Sequence, residues 1–260
     1  MNAPIGAGRI RMKFVRYSAG GHATYGILDG DTVIEISGPP TGRYTETGAS
    51  ASLSSVQLLA PIIPGDVYAM AVNFKSHTGG APAPTQPEPF LKPASSICGT
   101  DSTITLPANA GKVDEEGEMV VVIGRRMRNV SADDALSYVL GYTIGHDISA
   151  REWQAGDTSW WRAKGSDSFS PIGPFIETDY DPHGKYIVVT VNGEEVQNCN
   201  TDEMIFNTQE CLSFISQTNT LEPGDIVFTG TSGVTSRLQS GDDLITKIDG
   251  LGALHNTISD

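Results

Sequence analysis

Three carboxylates, with an arginine and a glutamine behind one of them, are the side chains best able to do chemistry. The run Val113-Asp-Glu-Glu-Gly-Glu-Met-Val-Val-Val-Ile-Gly124 sets Glu116 and Glu118 two residues apart at the start of an apolar stretch. Side chains alternate faces along a strand, so these two point the same way. Like charges on one face repel unless something positive lies between them. A hard cation such as Mg²⁺ or Mn²⁺, which prefers carboxylate and water oxygens, is the economical answer. Acidic residues that only solubilise a loop would show the same spacing. Asp147 supplies a third carboxylate near the end of a second apolar run, Gly141-Tyr-Thr-Ile-Gly-His-Asp-Ile148. Charge is not expected there, so it must be paired, hydrogen-bonded or coordinated. Arg151 and Gln154 follow, on one face with Asp147 if a helical turn begins after it. An Asp147–Arg151 ion pair or an N-cap is the plainer alternative.

The elements that must hold these groups are mostly short strands. Ala23–Leu28 and Thr32–Ile36 flank Asp29-Gly30, a hairpin signal. Gly38–Gly48 reads as a loop and Ser52–Leu59 as a short helix. Val67–Val72 is a buried strand, and Asn73–Pro89, rich in Gly, Ala and Pro, is a long irregular segment with the character of a lid. Met119–Gly124, Gly141–Ile148, Tyr186–Val191 before Asn192-Gly193, Ile226–Thr229 and Leu244–Ile248 are strands. Ala132–Val139 behind Ser131, and Asp202–Ser216, carry helix signals. A change of pattern near Gly65 divides a β-rich stretch, residues 1–64, from a larger unit, residues 65–260.

Bulk composition agrees with a β-rich globular protein. The 260 residues include 29 Gly and 15 Pro, which implies many turns. A formal net charge of −14 disfavours nucleic acid and anionic membrane surfaces as partners. Cys98, Cys199 and Cys211 show neither disulfide nor zinc spacing. Met1–Met12 lacks a leader's apolar run, and no segment has the length of a membrane span, so a cytoplasmic setting is expected.

Nine short segments, taken in order, resemble the fumarylacetoacetate hydrolase family. The acidic run entering Ile123-Gly124 and the later Asp147-Ile-Ser-Ala-Arg151-Glu-Trp-Gln154 are similar to its metal motif. Val72-Asn-Phe-Lys-Ser-His77 resembles its histidine segment, and Phe90-Leu-Lys-Pro93 its Lys-Pro strand. Trp160-Trp-Arg-Ala-Lys-Gly-Ser-Asp-Ser-Phe-Ser-Pro-Ile-Gly-Pro174 resembles its lysine segment. Val191-Asn-Gly193, Met204-Ile-Phe206, Pro223-Gly-Asp225 and Thr229-Gly-Thr231 complete the series.

The resemblance implies a mixed β-rich α+β fold, with a mixed β-roll or sandwich core and a small N-terminal β subdomain, and a homodimer. It implies Glu116, Glu118 and Asp147 as ligands of Mg²⁺ or Mn²⁺. Arg151, Gln154 and Lys164 are implied as substrate-binding or charge-stabilising groups. Lys92, Arg162, Asp167 and Thr231 are implied as substrate contacts, Thr231 through a carboxylate or oxyanion. The implied activity is C–C cleavage of a small 2-oxo or 2,4-dioxo acid of acylpyruvate type, through an enolate that the metal stabilises as a Lewis acid. His77, with an unperturbed pKa near neutrality, is the acid/base candidate. His146, one residue before Asp147, falls on the opposite face and reads as structural.

Hydrolytic members commonly carry a Glu three residues after that His, which orients the attacking water. Here the position is Gly80, and Glu88 is the nearest replacement. Ser232 stands where the family's Gly-Thr-Pro turn has Pro, and Phe74 where Tyr is usual. These departures favour decarboxylation, hydration or isomerisation of a related oxo acid as the alternative. A binder without turnover is the reading outside enzymology.

Overall fold

The computed structural model describes residues 11–260; the Met1–Met12 stretch read for a leader lies outside the described residues except for Arg11 and Met12. Alternating apolar residues build a mixed twelve-stranded sheet. Its main path runs Glu46–Ser52, Thr32–Ile36, His22–Asp29, Lys13–Ala19, Ser170–Glu177, Val139–His146, Gly117–Ile123, Ile226–Phe228, Val67–Ala71 and Glu88–Lys92. Most pairs are antiparallel, but Ile226–Phe228 runs parallel to Val67–Ala71. A second sheet of five strands orders as Glu194–Asn200, Tyr186–Val191, Asp243–Ile248, Gly252–Ser259 and Thr103–Thr105. The fold is thus the β-rich mixed one expected.

The central strands are buried on both faces, as the unbroken run Met119–Ile123 requires. Met119, Val121 and Ile123 join Ile187, Ile248 and Leu254 of the second sheet and Cys211, Leu212 and Ile215 of the helix Thr208–Thr218 in one core. Val120 and Val122, pointing the other way, pack with Phe14, Ile172, Ile176 and Phe228 in another. The two apolar layers grip the central hairpin, Gly117–Ile123 against Val139–His146, and its open end presents Glu118 and Asp147.

The N-terminal strands continue the large sheet: Lys13 and Phe14 register with Glu177 and Ile176. Three expectations change. Ser52–Leu59 holds a 3₁₀ turn, Leu53–Ser55, and a strand, Gln57–Leu59, that pairs with Lys13–Ala19 in place of a helix. The strand Glu46–Ser52 starts inside the expected loop; its exposed Thr, Gly, Ala and Ser lack the apolar alternation that would have marked it. Asn73–Pro89 contains a 3₁₀ helix, Lys75–Thr78, and ends in the edge strand Glu88–Lys92. Among the described residues no helix is long and apolar enough to cross a membrane.

Candidate active site

Glu116 ends the turn before its strand, Glu118 is the strand's second residue, and Asp147 follows the neighbouring strand. The Asp147 amide donates to the Glu116 carbonyl at 2.8 Å, which closes the hairpin and brings the carboxylates together. One oxygen from each of the three lies within 4.8 Å of the others, and all three residues are buried.

Cations surround this cluster unevenly. The Lys164 ammonium stands 2.5 Å from Glu116 Oε2 and 3.1 Å from Asp147 Oδ2. Lys92 pairs with Asp147 Oδ1 and donates to the Phe169 carbonyl at 3.1 Å. Arg151 reaches Glu116 Oε1 with Nη2 at 2.8 Å, and Asp114 Oδ2 with Nε at 2.9 Å. Glu118 has no ion-pair partner among the described residues; its Oε2 accepts from the Gly230 amide at 2.6 Å.

The titration directions follow that asymmetry. Burial opposes ionisation of Glu116, but Lys164 and then Arg151 outweigh it and hold the carboxyl below the usual range. Burial, then Asp147 and Glu116, push Glu118 well above it. Burial also works against the Lys164 charge, yet Asp147 and Glu116 leave its pKa raised. Lys92 is lowered by burial, with Lys164 contributing, despite Asp147.

These features fit a divalent cation. Three buried carboxylate oxygens form the donor set of a hard metal ion. Glu118, desolvated beside two like charges, is the group whose charge the protein leaves uncompensated.

A cavity of about 30 Å³ opens over the carboxylates; Glu116, Glu118, Lys164, Gln154, Thr231 and His77 are among its lining groups. Phe90 and Trp160 make an apolar wall, edge to face at 5.2 Å. Phe90, with its centroid 5.8 Å from Lys164 Nζ, is the ring beside that lysine, whereas Trp161 is exposed.

The expected helical turn begins at Arg151, after the strand Ser149–Ala150. Arg151 and Gln154 therefore share a face, Nη1 to Oε1 at 3.0 Å, and Asp147 comes from the strand end instead. Arg151 pairs with Asp114 and Glu116 rather than with Asp147. Thr231 lines the cavity, but its hydroxyl donates to the Gly117 carbonyl at 3.2 Å and accepts from Gln197 Nε2 at 2.8 Å. His77, on the Lys75–Thr78 turn, directs Nδ1 at the carbonyls of Thr231 and Ser232.

Arg162 and Asp167 are not brought to the carboxylates. Arg162 forms a two-pronged pair with Asp157 at 2.6 and 2.7 Å and covers the Trp153 ring; Asp167 is exposed. Glu88 is exposed on the edge strand opposite Ala71, outside the cavity wall. His146 is fully buried on the far face, bonded to Thr246 Oγ1 at 2.9 Å, and burial lowers its pKa to about 3.

Gln197 escaped sequence reasoning. Its amide brackets Gly117, accepting from the peptide N–H at 3.3 Å and donating to the carbonyl at 3.2 Å. One glutamine in Glu-Glu-Val-Gln-Asn-Cys-Asn offers no signal, because its partner lies 80 residues away.

A mixed β fold carries a buried carboxylate triad that could hold a metal ion, with two lysines beside it, and the comparisons say which family shares this arrangement. The family model described as fumarylacetoacetate (FAA) hydrolase C-terminal matches residues 66–259, and one described as Rv2993c-like, N-terminal, matches residues 12–61. The chain belongs to the fumarylacetoacetate hydrolase family of enzymes. It is 39% identical to Protein Rv2993c of Mycobacterium tuberculosis, over 95% of this chain and 98% of that one. It is 40% identical to the mitochondrial oxaloacetate tautomerase FAHD2A of Bos taurus, over 79% of this chain and 70% of that one. Among solved structures it is similar to 5-carboxymethyl-2-hydroxymuconate delta-isomerase from Mycobacterium smegmatis. The TM-score is 0.91 at 37% identity, over 95% of this chain and 99% of that one.

Proposed function

We propose that this protein is a divalent-metal-dependent tautomerase or isomerase of a small 2-oxo acid that carries a second carboxylate. The observation that carries the reading is the backbone at position 80. Gly80 has φ +87°, and a Cβ there would meet nothing within 4 Å. A glutamate would be strained at that φ and would point into open space. The water-orienting carboxylate of a hydrolytic site is therefore not available beside His77. A proton shift needs no oriented water. The two relatives named for an activity, a tautomerase and an isomerase, also support it.

Glu116, Glu118 and Asp147 would hold Mg²⁺ or Mn²⁺. When bound, that ion would supply Lewis acidity to the oxo-acid substrate. Arg151 and Lys164 offset the anionic charge that substrate and triad bring together. Lys92, bonded to Asp147, orients that carboxylate, and Gln154 and Thr231 line the substrate's side of the cavity. His77 takes a proton from carbon 3, the C–H electrons become the C2–C3 double bond, and the same ring delivers a proton to the C2 oxygen. The C2=O π electrons move onto the oxygen that is protonated, so one C–H bond and one C=O π bond break as one C=C π bond and one O–H bond form, and no atom is gained or lost. Arg162 and Asp167 have no role in this scheme.

Hydrolysis of an acylpyruvate is the second reading, favoured by the family's description. Proton NMR in D₂O separates the two. With oxaloacetate and Mg²⁺ or Mn²⁺, the tautomerase reading expects accelerated enol–keto interconversion and deuterium at carbon 3, without carbon dioxide. Pyruvate plus acetate from acetylpyruvate would establish hydrolysis; pyruvate plus carbon dioxide from oxaloacetate would establish decarboxylation. A metal-raised Tm without turnover of either acid would leave a binder. We carry forward two further expectations. The division into residues 1–64 and 65–260 is testable by limited proteolysis, and the homodimer by sedimentation.

A further inference from the structure

Among the described residues His77 has no carboxylate partner, yet its ring is held. Nδ1 lies 3.2 Å from the Thr231 carbonyl oxygen and 3.0 Å from that of Ser232. A carbonyl oxygen can only accept, so the ring proton sits on Nδ1 and the lone pair on Nε2. Among the described residues nothing hydrogen-bonds Nε2. The two backbones meet at the limit of contact. A Cβ on Gly233 would lie 2.0 Å from the Ser76 carbonyl oxygen and 2.9 Å from His77 Cα. The Gly233 amide also donates to Ser76 Oγ at 3.2 Å.

The other side of the turn is anchored as firmly. Val72, a cavity residue, has φ 51°, a left-handed conformation that a β-branched residue rarely adopts. The next residue, buried Asn73, donates to the Phe206 and Thr229 carbonyls at 3.0 and 2.8 Å and accepts from the Phe206 amide at 3.0 Å. A backbone held in such a conformation is over-determined by its surroundings. Here the segment it leads into is the one that carries His77.

We propose that the Thr231–Gly233 segment is a tautomer clamp: the paired carbonyls of Thr231 and Ser232 keep His77 in its Nδ1–H form, with Nε2 free toward the cavity. Gly233 is the positioning residue whose missing side chain lets them reach the ring. The clamp rests on the reading of His77 as the proton-moving group. A carbonyl pair carries no net charge, so it orients the ring without adding a further anion to a cavity already lined by Glu116 and Glu118.

The test is ¹⁵N NMR of histidine-labelled full-length protein at a pH where imidazole is neutral, with turnover measured in parallel. Wild type is expected to show the Nδ1–H signature for His77. Gly233→Ala is expected to mix the tautomers and to lower kcat by about tenfold to a hundredfold, the size of a misplacement near 1 Å. KM should barely move, while Tm should fall, because the added Cβ meets backbone atoms of Ser76 and His77. Ser76→Ala, at an exposed position, should shift the ring the same way to a smaller extent and serves if Gly233→Ala fails to fold. An Nε2–H ring in wild type, or a Gly233→Ala protein with unaltered ring and unaltered kcat, overturns the clamp. A wild-type Nδ1–H ring that Gly233→Ala disturbs, in a protein that turns over no oxo acid, sustains the clamp and removes the tautomerase reading instead.

Discussion

The floor and the roof of the cavity are built by opposite means. The floor is charge: three buried carboxylates at the ends of central strands, met by Lys92 from the edge strand, Arg151 from a helix and Lys164 from an irregular segment, with both faces of the hairpin packed. The roof is a single 3₁₀ turn carrying His77, bounded by exposed residues and held through backbone groups. Charges buried at that density cost free energy singly and are tolerable only together. The roof has no such mutual dependence. The floor should therefore couple stability to chemistry, while the roof changes rate alone.

The comparison is attacked most directly at Lys164. Lys164→Met leaves Glu116 and Asp147 with one fewer compensating charge, and metal-free stability in urea should fall by about 3–5 kcal/mol. Saturating Mg²⁺ or Mn²⁺ should restore part of it. His77→Asn should lower kcat by about 10²–10⁴-fold with stability within about 0.5 kcal/mol of wild type. If it unfolds the protein as Lys164→Met does, the distinction between floor and roof is lost. Glu118→Gln sharpens the floor itself. Metal at a hundred times its Kd should stabilise wild type by about 2.7 kcal/mol, and this variant should lose that response while keeping wild-type metal-free stability or better. An unchanged metal response would remove Glu118 from the site.

The smallest effect lies away from both. His255 bridges Asp101 and Asp243 at 2.5 Å each, and the Asp101 hydrogen bond, ahead of Asp243, raises its pKa. A histidine raised on folding stabilises fully below its unfolded value near 6.5, and the contribution disappears as pH climbs through the higher folded value. The Tm should fall by a few degrees between pH 6 and pH 9, and His255→Asn should flatten that slope. Partial exposure keeps the effect near or below about 1 kcal/mol.

Much of the floor was legible in the sequence because its signal is local. Glu116, Glu118 and Asp147 sit at strand ends whose apolar runs are plain, and period two alone puts the first pair on one face. What escaped is set by distant approach. Arg151 takes Asp114 rather than Asp147 because Val113–Asp114 pairs with Ser149–Ala150, a two-residue ladder too short to leave a pattern. Lys92 read as a substrate contact until the fold turned it onto Asp147. Arg162 and Asp167 were carried by a motif's span, and of the charged residues between Trp160 and Ser170 the chain brings only Lys164 to the carboxylates. The roof was the least legible part, because backbone carbonyls hold it and these have no letter in the sequence.

Gly117 stands between Glu116 and Glu118, and a Cβ there would lie 2.4 Å from Val189 and 2.8 Å from Thr246, both of the five-stranded sheet. With Gln197 bracketing its peptide, that sheet is the ruler against which the separation of the two glutamates is cut. Any drift of one layer over the other would be read out as a change in the spacing of the two carboxylates. Selection on the distant surface of the second sheet can thus retune the carboxylate cluster without replacing Glu116, Glu118 or Asp147.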